Sequence, residues 1–217
     1  MALLAQHVAA RAQPFAFRCS ACSHCCHHKV IQTNPFELAQ LAAFLQLDAA
    51  DLRARWTTDG QGTELARTAQ DVCVFLGPAG CTVHPARPLV CRLYPLGRVR
   101  AGDGTEQWHQ LDPHPLSGGS FGGPGTIADY LDAQQAQSYI DAADGYAEWV
   151  NQAREVLARL SESSAAHGTA LDLLDLDRAV AQHCARHSLD EPQAPLLRLD
   201  MHLRLLYDWL AELDGKG

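Results

Sequence analysis

Four of the chain's eight cysteines lie within one run of eight residues, Cys19-Ser20-Ala21-Cys22-Ser23-His24-Cys25-Cys26. Two overlapping C-x-x-C spacings can direct successive sulfur atoms at one metal ion, because a loop of that length turns its side chains inward onto a shared point. The adjacent thiols of Cys25 and Cys26 diverge from neighbouring backbone positions, so they rarely ligate one small ion together. The run therefore predicts a site with more than one metal atom.

Three more thiols form a second cluster in a segment rich in glycine and proline. They belong to Cys73, Cys81 and Cys91, which leaves Cys184 alone near the C-terminus. Seven of the eight cysteines thus fall into two clusters, and we expect the fold to bring the clusters together.

Metal binding has two competing alternatives. An even count of eight cysteines permits a disulfide framework, which would require export of the chain. The N-terminal sequence MALLAQHVAARAQ lacks a sustained apolar core and a cleavage site, so no export signal is visible. The second alternative is a set of free cysteines buried in an ordinary core. Metal binding is favoured over both, and we expect a cytoplasmic protein.

Composition limits the class of partner. A length of 217 residues with 47% hydrophobic and 19% charged residues is typical of a folded globular domain. The formal net charge of −8 and the absence of a Lys/Arg run disfavour nucleic-acid binding, which needs concentrated positive charge. No stretch approaches the roughly 20 apolar residues that span a bilayer. We therefore expect a protein or small-molecule partner of unknown identity, with no nucleic acid and no membrane.

Helix signals are clear in several places. Residues 1–13 favour a short amphipathic helix that ends before Pro14, and Val30-Ile31 favours a short strand. Asn34 can cap a helix that has Pro35 at its first position and Glu37 three residues after the cap. Further helices are predicted from Asp48 through Trp56, from Thr126 through Leu160, over 171–187 and over 196–212.

Strand signals are few and short. Val72–Leu76 favours a strand, and Gly77-Pro78-Ala79-Gly80 turns the chain towards Cys81. A second hairpin is predicted around Ala101-Gly102-Asp103-Gly104. The prediction is an α+β fold, mostly helical, with a small cysteine-rich metal-binding core whose short strands are wrapped by helices. We expect one domain over 1–217, with a cysteine-rich metal-binding half over 14–112 and a helical half over 113–217.

The number of thiols bears on the type of metal site. One tetrahedral zinc site needs four ligands, so seven thiols allow an iron–sulfur cluster or a polynuclear iron or zinc site. The remaining thiolates could bind a further ion or leave one metal position open. Dense thiolates need nearby cations, and we expect Arg87 and Arg92 to supply them. For Lys29 a solvated surface charge is an equal alternative, and Arg18 also flanks the cysteines.

Histidines and glycines near the clusters carry weaker signals. With enough thiols present, His24, His27 and His28 are not expected to ligate metal, while His84 favours a place beside the site. Cys184 fits a buried thiol without a ligand, and the pair His183 and His187 lacks a carboxylate. The glycine-rich run over 117–125 lacks the order of a dinucleotide or phosphate motif, so it is interpreted as a loop.

The sequence Cys19-x-x-Cys22-x-x-Cys25-Cys26, followed by Cys73, Cys81 and the segment Arg87-Pro88-Leu89-Val90-Cys91-Arg92-Leu93-Tyr94-Pro95, resembles the YkgJ-type cysteine-cluster family of zinc- or iron-chelating domains. The resemblance covers residues 19–96 strongly and the passage from Pro113 through Gln134-Gln135 more loosely. It implies that the metal ligands are Cys19, Cys22, Cys25, Cys26, Cys73, Cys81 and Cys91.

The resemblance also implies a possible reaction. The family is related to flagellin lysine N-methylases, which implies S-adenosylmethionine as a cofactor and methyl transfer to protein lysines. Two departures matter. A glycine is common before the Cys-Cys pair, where this chain has Ser23-His24, and many members carry a further cysteine where this chain has Leu116-Ser117. Either the eighth thiol is missing or Cys184 replaces it.

The leading hypothesis is a metal-binding protein with a Cys-ligated iron–sulfur or multinuclear iron/zinc centre and an unassigned reaction. The first alternative is an S-adenosylmethionine-dependent protein lysine N-methyltransferase. The second is a redox or metal-sensing interaction module. The sequence leaves open whether the chain is an enzyme.

Overall fold

A computed structural model describes residues 6–8, 10–60, 62–159 and 174–215. The chain divides into two compact units, each built from two stretches of sequence. The first unit is drawn from residues up to Gln32 and from Glu64–Gln137, and the second from Thr33–Thr63 and from Ser138 onwards. The predicted α+β class is confirmed. The units group the chain differently from the two predicted sequence halves, and a single domain stays a prediction.

A three-stranded antiparallel sheet lies in the first unit, in the order β1 (Gln6–Val8), β6 (Glu106–Gln110) and β5 (Leu96–Arg100). The hairpin of β5 and β6 confirms the second predicted hairpin. The helix predicted over 1–13 is wrong for residues 6–8, which pair with β6. The free edge of β6 offers these residues backbone hydrogen bonds that local helix preference does not outweigh.

Short strand pairs and turns make up the rest of the first unit. Strand β2 (Phe17–Arg18) pairs with β7 (Ser120–Phe121), and β3 (Leu76–Gly77) pairs with β4 (Gly80–Cys81). The strand predicted over 72–76 is reduced to isolated bridges at Val72 and Cys73 before β3. Val30-Ile31 is not a strand. Two short helices complete the unit, α3 (Leu89–Leu93) and α4 (Ile127–Ala133).

The second unit is helical in its described part. Its helices are α1 (Pro35–Leu45), α2 (Ala49–Trp56), most of α5 (Gln137–Arg159), α6 (Leu176–His187) and α7 (Pro195–Asp214). The predicted capping box is present, since the Asn34 side chain accepts from the Glu37 N–H and Glu37 accepts from the Asn34 N–H. No helix among the described residues is long and apolar enough to cross a membrane.

The long helix predicted from Thr126 is interrupted. Thr126 and Asp129 form the predicted cap of α4, but this helix ends at Ala133. Gln135 then has a left-handed φ of 51°, which separates α4 from α5. The ends of two predicted helices, at Leu160 and over 171–173, lie outside the described residues.

Glu106 of β6 forms ion pairs with Arg11 and with Arg98 of the neighbouring strand β5. Its carboxylate accepts hydrogen bonds from Arg11 at 2.7 and 2.8 Å and from Arg98 at 2.9 Å, and both guanidinium groups lie within about 6 Å of the buried Trp108 ring. The hydrogen bonds from Arg11 and the charge of Arg98 lower the pKa of Glu106 from 4.5 to about 2.

Replacing Glu106 by Gln is expected to lower the free energy of unfolding at pH 7 by about 1–2 kcal/mol, because two charge-assisted contacts are lost. The loss should shrink as pH falls from 4.5 towards 2, since protonation of the folded carboxylate removes the same stabilisation from the native chain. Urea unfolding at several pH values measures both effects. As a control, Asp214→Asn breaks an exposed pair with Arg159 and should cost below about 0.5 kcal/mol. Equal, pH-independent losses in both variants would contradict this account of Glu106.

Candidate metal centre

The cysteine loop of residues 19–26 is tightly wound. Ala21 and Ser23 have left-handed φ values of 54° and 62°, and a 3₁₀ turn follows over His24–Cys26. The Cys26 N–H donates to the Ser23 carbonyl at 2.9 Å, which closes that turn. The backbone therefore reverses direction within a few residues of the cysteine loop.

Backbone contacts bring the second cluster to this loop. The Cys73 N–H donates to the Cys26 carbonyl at 3.0 Å, and Val72 forms a bridge with His27. The hairpin of β3 and β4 places Cys81 opposite Leu76, three residues after Cys73. Cys91 lies within α3. All seven clustered cysteines belong to the first unit.

Five thiols, called the inner thiols below, have pKa values that are separated by their pairing and by burial: Cys25, Cys26, Cys73, Cys81 and Cys91. Interaction with the Cys26 thiol lowers the pKa of Cys25 to about 6, and the same interaction raises the pKa of Cys26. Burial raises the pKa of Cys91 to about 12, and burial also raises the pKa values of Cys73 and Cys81. A charge on Cys25 raises all three of these values further, so these thiols sense one another's ionisation.

Cys22 lies in a different environment at the outer side of the loop. Its sulfur accepts a hydrogen bond from the Gly118 N–H at 3.3 Å. The polar groups of the neighbouring His24, with this bond, lower the pKa of Cys22 to about 6. Cys19 is exposed, whereas Cys73 is buried and the other five clustered thiols are half-buried.

The side chains do not stand ready to ligate. Within the described residues, no three side chains of His, Cys, Asp or Glu are arranged so that they could hold a metal ion as placed. The chemistry of the donor set nevertheless fits iron or zinc, because thiolates are the ligands of iron–sulfur clusters and structural zinc sites.

Lys29 is the cation whose charge reaches most of the inner thiols. Its ammonium group donates to the Val90 carbonyl at 3.0 Å and lies 5.2 Å from the centre of the Tyr94 ring. Its charge lowers the pKa values of Cys25, Cys73 and Cys91. Of the two alternatives for Lys29, this geometry favours the supporting role over a solvated surface charge.

The two predicted arginine cations differ from each other. Arg92 is buried and donates to the carbonyls of Arg87, Gln134 and Pro85, so it cross-links backbone segments. Arg87 donates to the His84 carbonyl and to the Gln134 side chain, and its charge interacts with Cys91 and Cys19. Arg18 is exposed in β2. Arg92 thus positions the backbone around the thiols, while Arg87 adds positive charge.

Two tyrosines organise the site, and the sequence alone predicted no role for either. The Tyr130 hydroxyl donates to the Tyr94 carbonyl at 2.6 Å, and the Tyr94 hydroxyl accepts from the His114 N–H at 2.6 Å. Tyr94 lies in the segment 87–95, on which the family resemblance depends, so the sequence pattern could have indicated a role for it. Tyr130 had only a helical apolar pattern, which does not distinguish a core residue from one that holds a site.

The glycine-rich passage lies directly against the cysteine loop. A Cβ at Gly118 would come within 2.8 Å of Ser20 Oγ, and a Cβ at Gly119 within 2.3 Å of the Phe17 ring. Only glycine allows this approach, which lets the Gly118 N–H reach Cys22. The interpretation as a loop holds for most of the run, and its one short strand, β7, pairs with β2.

Histidine rings gather beside Cys22. The His24 ring stacks against His114 with centroids 5.6 Å apart and planes 19° apart, and its centroid is 6.3 Å from that of His27. Cys22, His24 and His27 line an open depression of about 400 Å³ together with residues 76–80. His84 is exposed and lies beside Arg87.

Cys184, His183 and His187, for which the sequence analysis considered a role, lie in the second unit. Cys184 is buried and its sulfur lies 3.7 Å from that of Met201, which agrees with a thiol that packs in a core. The rings of His183 and His187 are 4.5 Å apart on α6.

The order in which the thiols ionise can be measured on chelator-treated, reduced protein. Alkylation with iodoacetamide should reach half its maximal rate near pH 6 at Cys22 and Cys25, since the thiolate is the reacting form. Cys91 should require a pH near 12. Site-resolved mass spectrometry gives each rate, with N-acetylcysteine in the same sample as a thiol of ordinary pKa. Parallel titration of all the clustered thiols with the N-acetylcysteine control would contradict this order.

The comparisons with known proteins concern the same part of the chain. Residues 18–113 match the family model CxxCxxCC, described as "Putative zinc- or iron-chelating domain". The match runs from the cysteine loop past Cys91 and through the hairpin of β5 and β6. No curated protein and no solved structure matches the chain. Residues 18–113 are therefore similar to the CxxCxxCC family of zinc- or iron-chelating domains.

Proposed function

We propose that the first unit holds a Cys-ligated iron–sulfur cluster or multinuclear iron/zinc centre. The observation that carries this proposal is the convergence on Cys25, whose charge acts on thiols from three other places in the chain. Ionising these thiols together is costly unless a bound cation neutralises their charge, and without a cation the buried thiols keep their protons. The family description supports zinc or iron as that cation.

The ligands in this proposal form an inner and an outer group. The inner group would hold most of the centre, and the outer group lies towards solvent. The inner thiols are Cys25, Cys26, Cys73, Cys81 and Cys91, and the outer thiols are Cys19, which is exposed, and Cys22, whose pKa is lowered despite its partial burial. Metal binding would require these side chains to rearrange, since no three of the described side chains are placed to hold a metal ion. When bound, an iron–sulfur cluster would supply one-electron transfer, whereas zinc would supply charge stabilisation.

The residues around the thiols have distinct tasks in this proposal. Lys29 offsets negative charge on the inner group. Arg92 and Tyr130 hold the ends of α3, which carries Cys91, through the carbonyls that they contact. The passage at Gly118 covers Cys22 on one side. A cytoplasmic location, where thiols stay reduced, belongs to the same proposal.

A redox or metal-sensing interaction module is a second candidate. The observation that favours it is the exposure of Cys19 and the partial exposure of Cys22, because accessible thiolates exchange metal and oxidise readily. A partner would then bind the protein differently with and without metal. A pull-down from cell extract that is indifferent to both metal loading and oxidation would count against this candidate.

Methyl transfer is carried only by the sequence resemblance to flagellin lysine N-methylases. The family description of residues 18–113 names metal chelation alone. Calorimetry with S-adenosylmethionine tests this alternative directly, and an absence of binding heat in the metal-loaded protein would remove it.

Cysteine substitutions test the proposed ligands. In anaerobically purified protein, Cys91→Ser should lose half or more of the bound iron or zinc, because a hydroxyl is a poor ligand for either ion. Cys184→Ala is the matched control and should keep the wild-type metal content, since its thiol packs against Met201 in the second unit. Elemental analysis gives the metal per chain. Equal metal content in wild type and both variants, or no metal in the wild type, would contradict the proposed site.

Removal of the Lys29 charge should weaken metal binding without abolishing it. Lys29→Gln is expected to lower the affinity for zinc by about tenfold, as substitutions beside a metal site typically do. Lys29→Arg keeps the charge and should stay within about threefold of the wild type. Competition with a chromophoric chelator measures both. If Gln and Arg weaken binding equally, the role of Lys29 is packing and not charge.

A further inference from the structure

We propose that Gly118 is a positioning residue for the metal centre, because its backbone N–H holds the Cys22 sulfur from outside the cysteine loop and sets how strongly Cys22 binds metal. This inference rests on the proposed function, since it requires that Cys22 ligates a metal ion. It assigns a task to the glycine-rich run over 117–125, which the sequence alone indicated only as a loop.

The two outer thiols accept backbone hydrogen bonds of different origin. The Cys19 sulfur accepts from the Ala21 N–H at 3.4 Å, which is a bond within the cysteine loop itself. The Cys22 sulfur accepts from the Gly118 N–H at 3.3 Å, although the two residues are 96 positions apart in the chain. The bond to Cys22 therefore depends on the fold, which has to bring the glycine-rich run to the loop.

Contacts on both sides of Gly118 hold it against the loop. On its N-terminal side, the His114 N–H donates to the Tyr94 hydroxyl at 2.6 Å, and the Ser117 N–H donates to the His114 carbonyl at 2.7 Å. On its C-terminal side, β7 pairs with β2, which directly precedes the cysteine loop. Gly118 lies between these two attachments, so the position of its N–H is fixed by bonds that involve no thiol.

One atom limits the space for a side chain at position 118. A Cβ there would stand 2.8 Å from Ser20 Oγ, 3.6 Å from Ser20 Cβ and 3.7 Å from Cys22 Cβ. Of these three distances, only the one to Ser20 Oγ is shorter than an ordinary van der Waals contact. An alanine at position 118 would therefore push the run away from the loop through the Ser20 hydroxyl, and removal of that hydroxyl should restore the approach.

An N–H donor beside a ligand sulfur acts on a metal centre in two ways. The hydrogen bond orients the sulfur before the ion binds, so less conformational freedom is lost on binding. It also stabilises the negative charge of the thiolate, and hydrogen bonds to the sulfurs help to set the reduction potential of an iron–sulfur cluster. Loss of a group that contacts a metal ligand typically weakens metal binding by about 10–100-fold. We therefore expect Gly118 to affect metal affinity.

Magnetic resonance of the full chain loaded with ¹¹³Cd tests the contact in the metal-bound protein. Cadmium takes soft thiolate ligands in place of zinc, and its nuclear spin couples to an amide proton across an N–H···S–Cd bridge. We expect the Gly118 amide proton of the wild type to show this coupling, because its N–H donates to the Cys22 sulfur. The coupling should disappear in Cys22→Ser.

Alanine variants test the effect on zinc affinity, measured by competition with a chromophoric chelator. Gly118→Ala should bind zinc about tenfold more weakly than the wild type. Gly102→Ala is the matched control and should stay within about twofold, because a Cβ there meets no atom of the described residues within 4 Å. Adding Ser20→Ala to Gly118→Ala should recover most of the affinity of Ser20→Ala alone, since the obstructing oxygen is gone.

The outcomes separate this inference from the function on which it rests. A wild type that binds cadmium but shows no coupling at the Gly118 amide would overturn the inference and leave the proposed metal centre intact. Equal zinc affinities of Gly118→Ala and Gly102→Ala would also overturn it. A wild type that binds no zinc, iron or cadmium would overturn both. The wild-type spectrum decides the question even if a variant fails to fold.

Discussion

Repulsion among ionised thiols is the constraint around which the first unit is built. Cys25 lies where its charge acts on thiols from the hairpin of β3 and β4 and from α3, so the group cannot ionise fully without added positive charge. The thiols divide accordingly. Cys22 and Cys25 ionise readily, while the more buried thiols hold their protons. Lys29 offsets part of the negative charge that the ionised thiols would carry. A bound metal ion would neutralise the remaining charge.

The backbone is arranged to hold this repulsive group together. Arg92 and Tyr130 donate hydrogen bonds to backbone carbonyls at the two ends of α3. The Cys26 carbonyl accepts a hydrogen bond from the Cys73 N–H. The bonds from Tyr130 and Cys73 join segments that are distant in sequence, and none of the three is made by a thiol. Gly118 and Gly119 add a cover that only residues without a side chain could form. These backbone contacts can therefore hold the thiol-bearing segments together whether or not the thiols are ionised.

Local signals in the sequence predicted a good part of this structure. The cap at Asn34, the cap at Thr126 and the hairpin of β5 and β6 depend on residues that are close in sequence, and all three are present. Strand β1 was missed because its partner β6 lies about a hundred residues away, and its own residues carry no strong strand preference. Pairing between distant segments has no local signature.

The same distinction applies to the candidate site. The spacing of the cysteines predicted the cluster, since sulfur-rich motifs follow from the geometry of metal ligation. It could not reveal that Arg92 would turn to carbonyls while Lys29 would act on the thiols, because both choices depend on tertiary contacts.

Native mass spectrometry of the full chain, purified without oxygen, tests directly whether the clustered thiols hold metal, before and after alkylation. We expect a bound mass of more than one iron or zinc ion, with or without sulfide, and protection of most of the seven clustered thiols from alkylation until a chelator is added. A chain that carries no metal and whose exposed and half-buried thiols are all alkylated at once would contradict it.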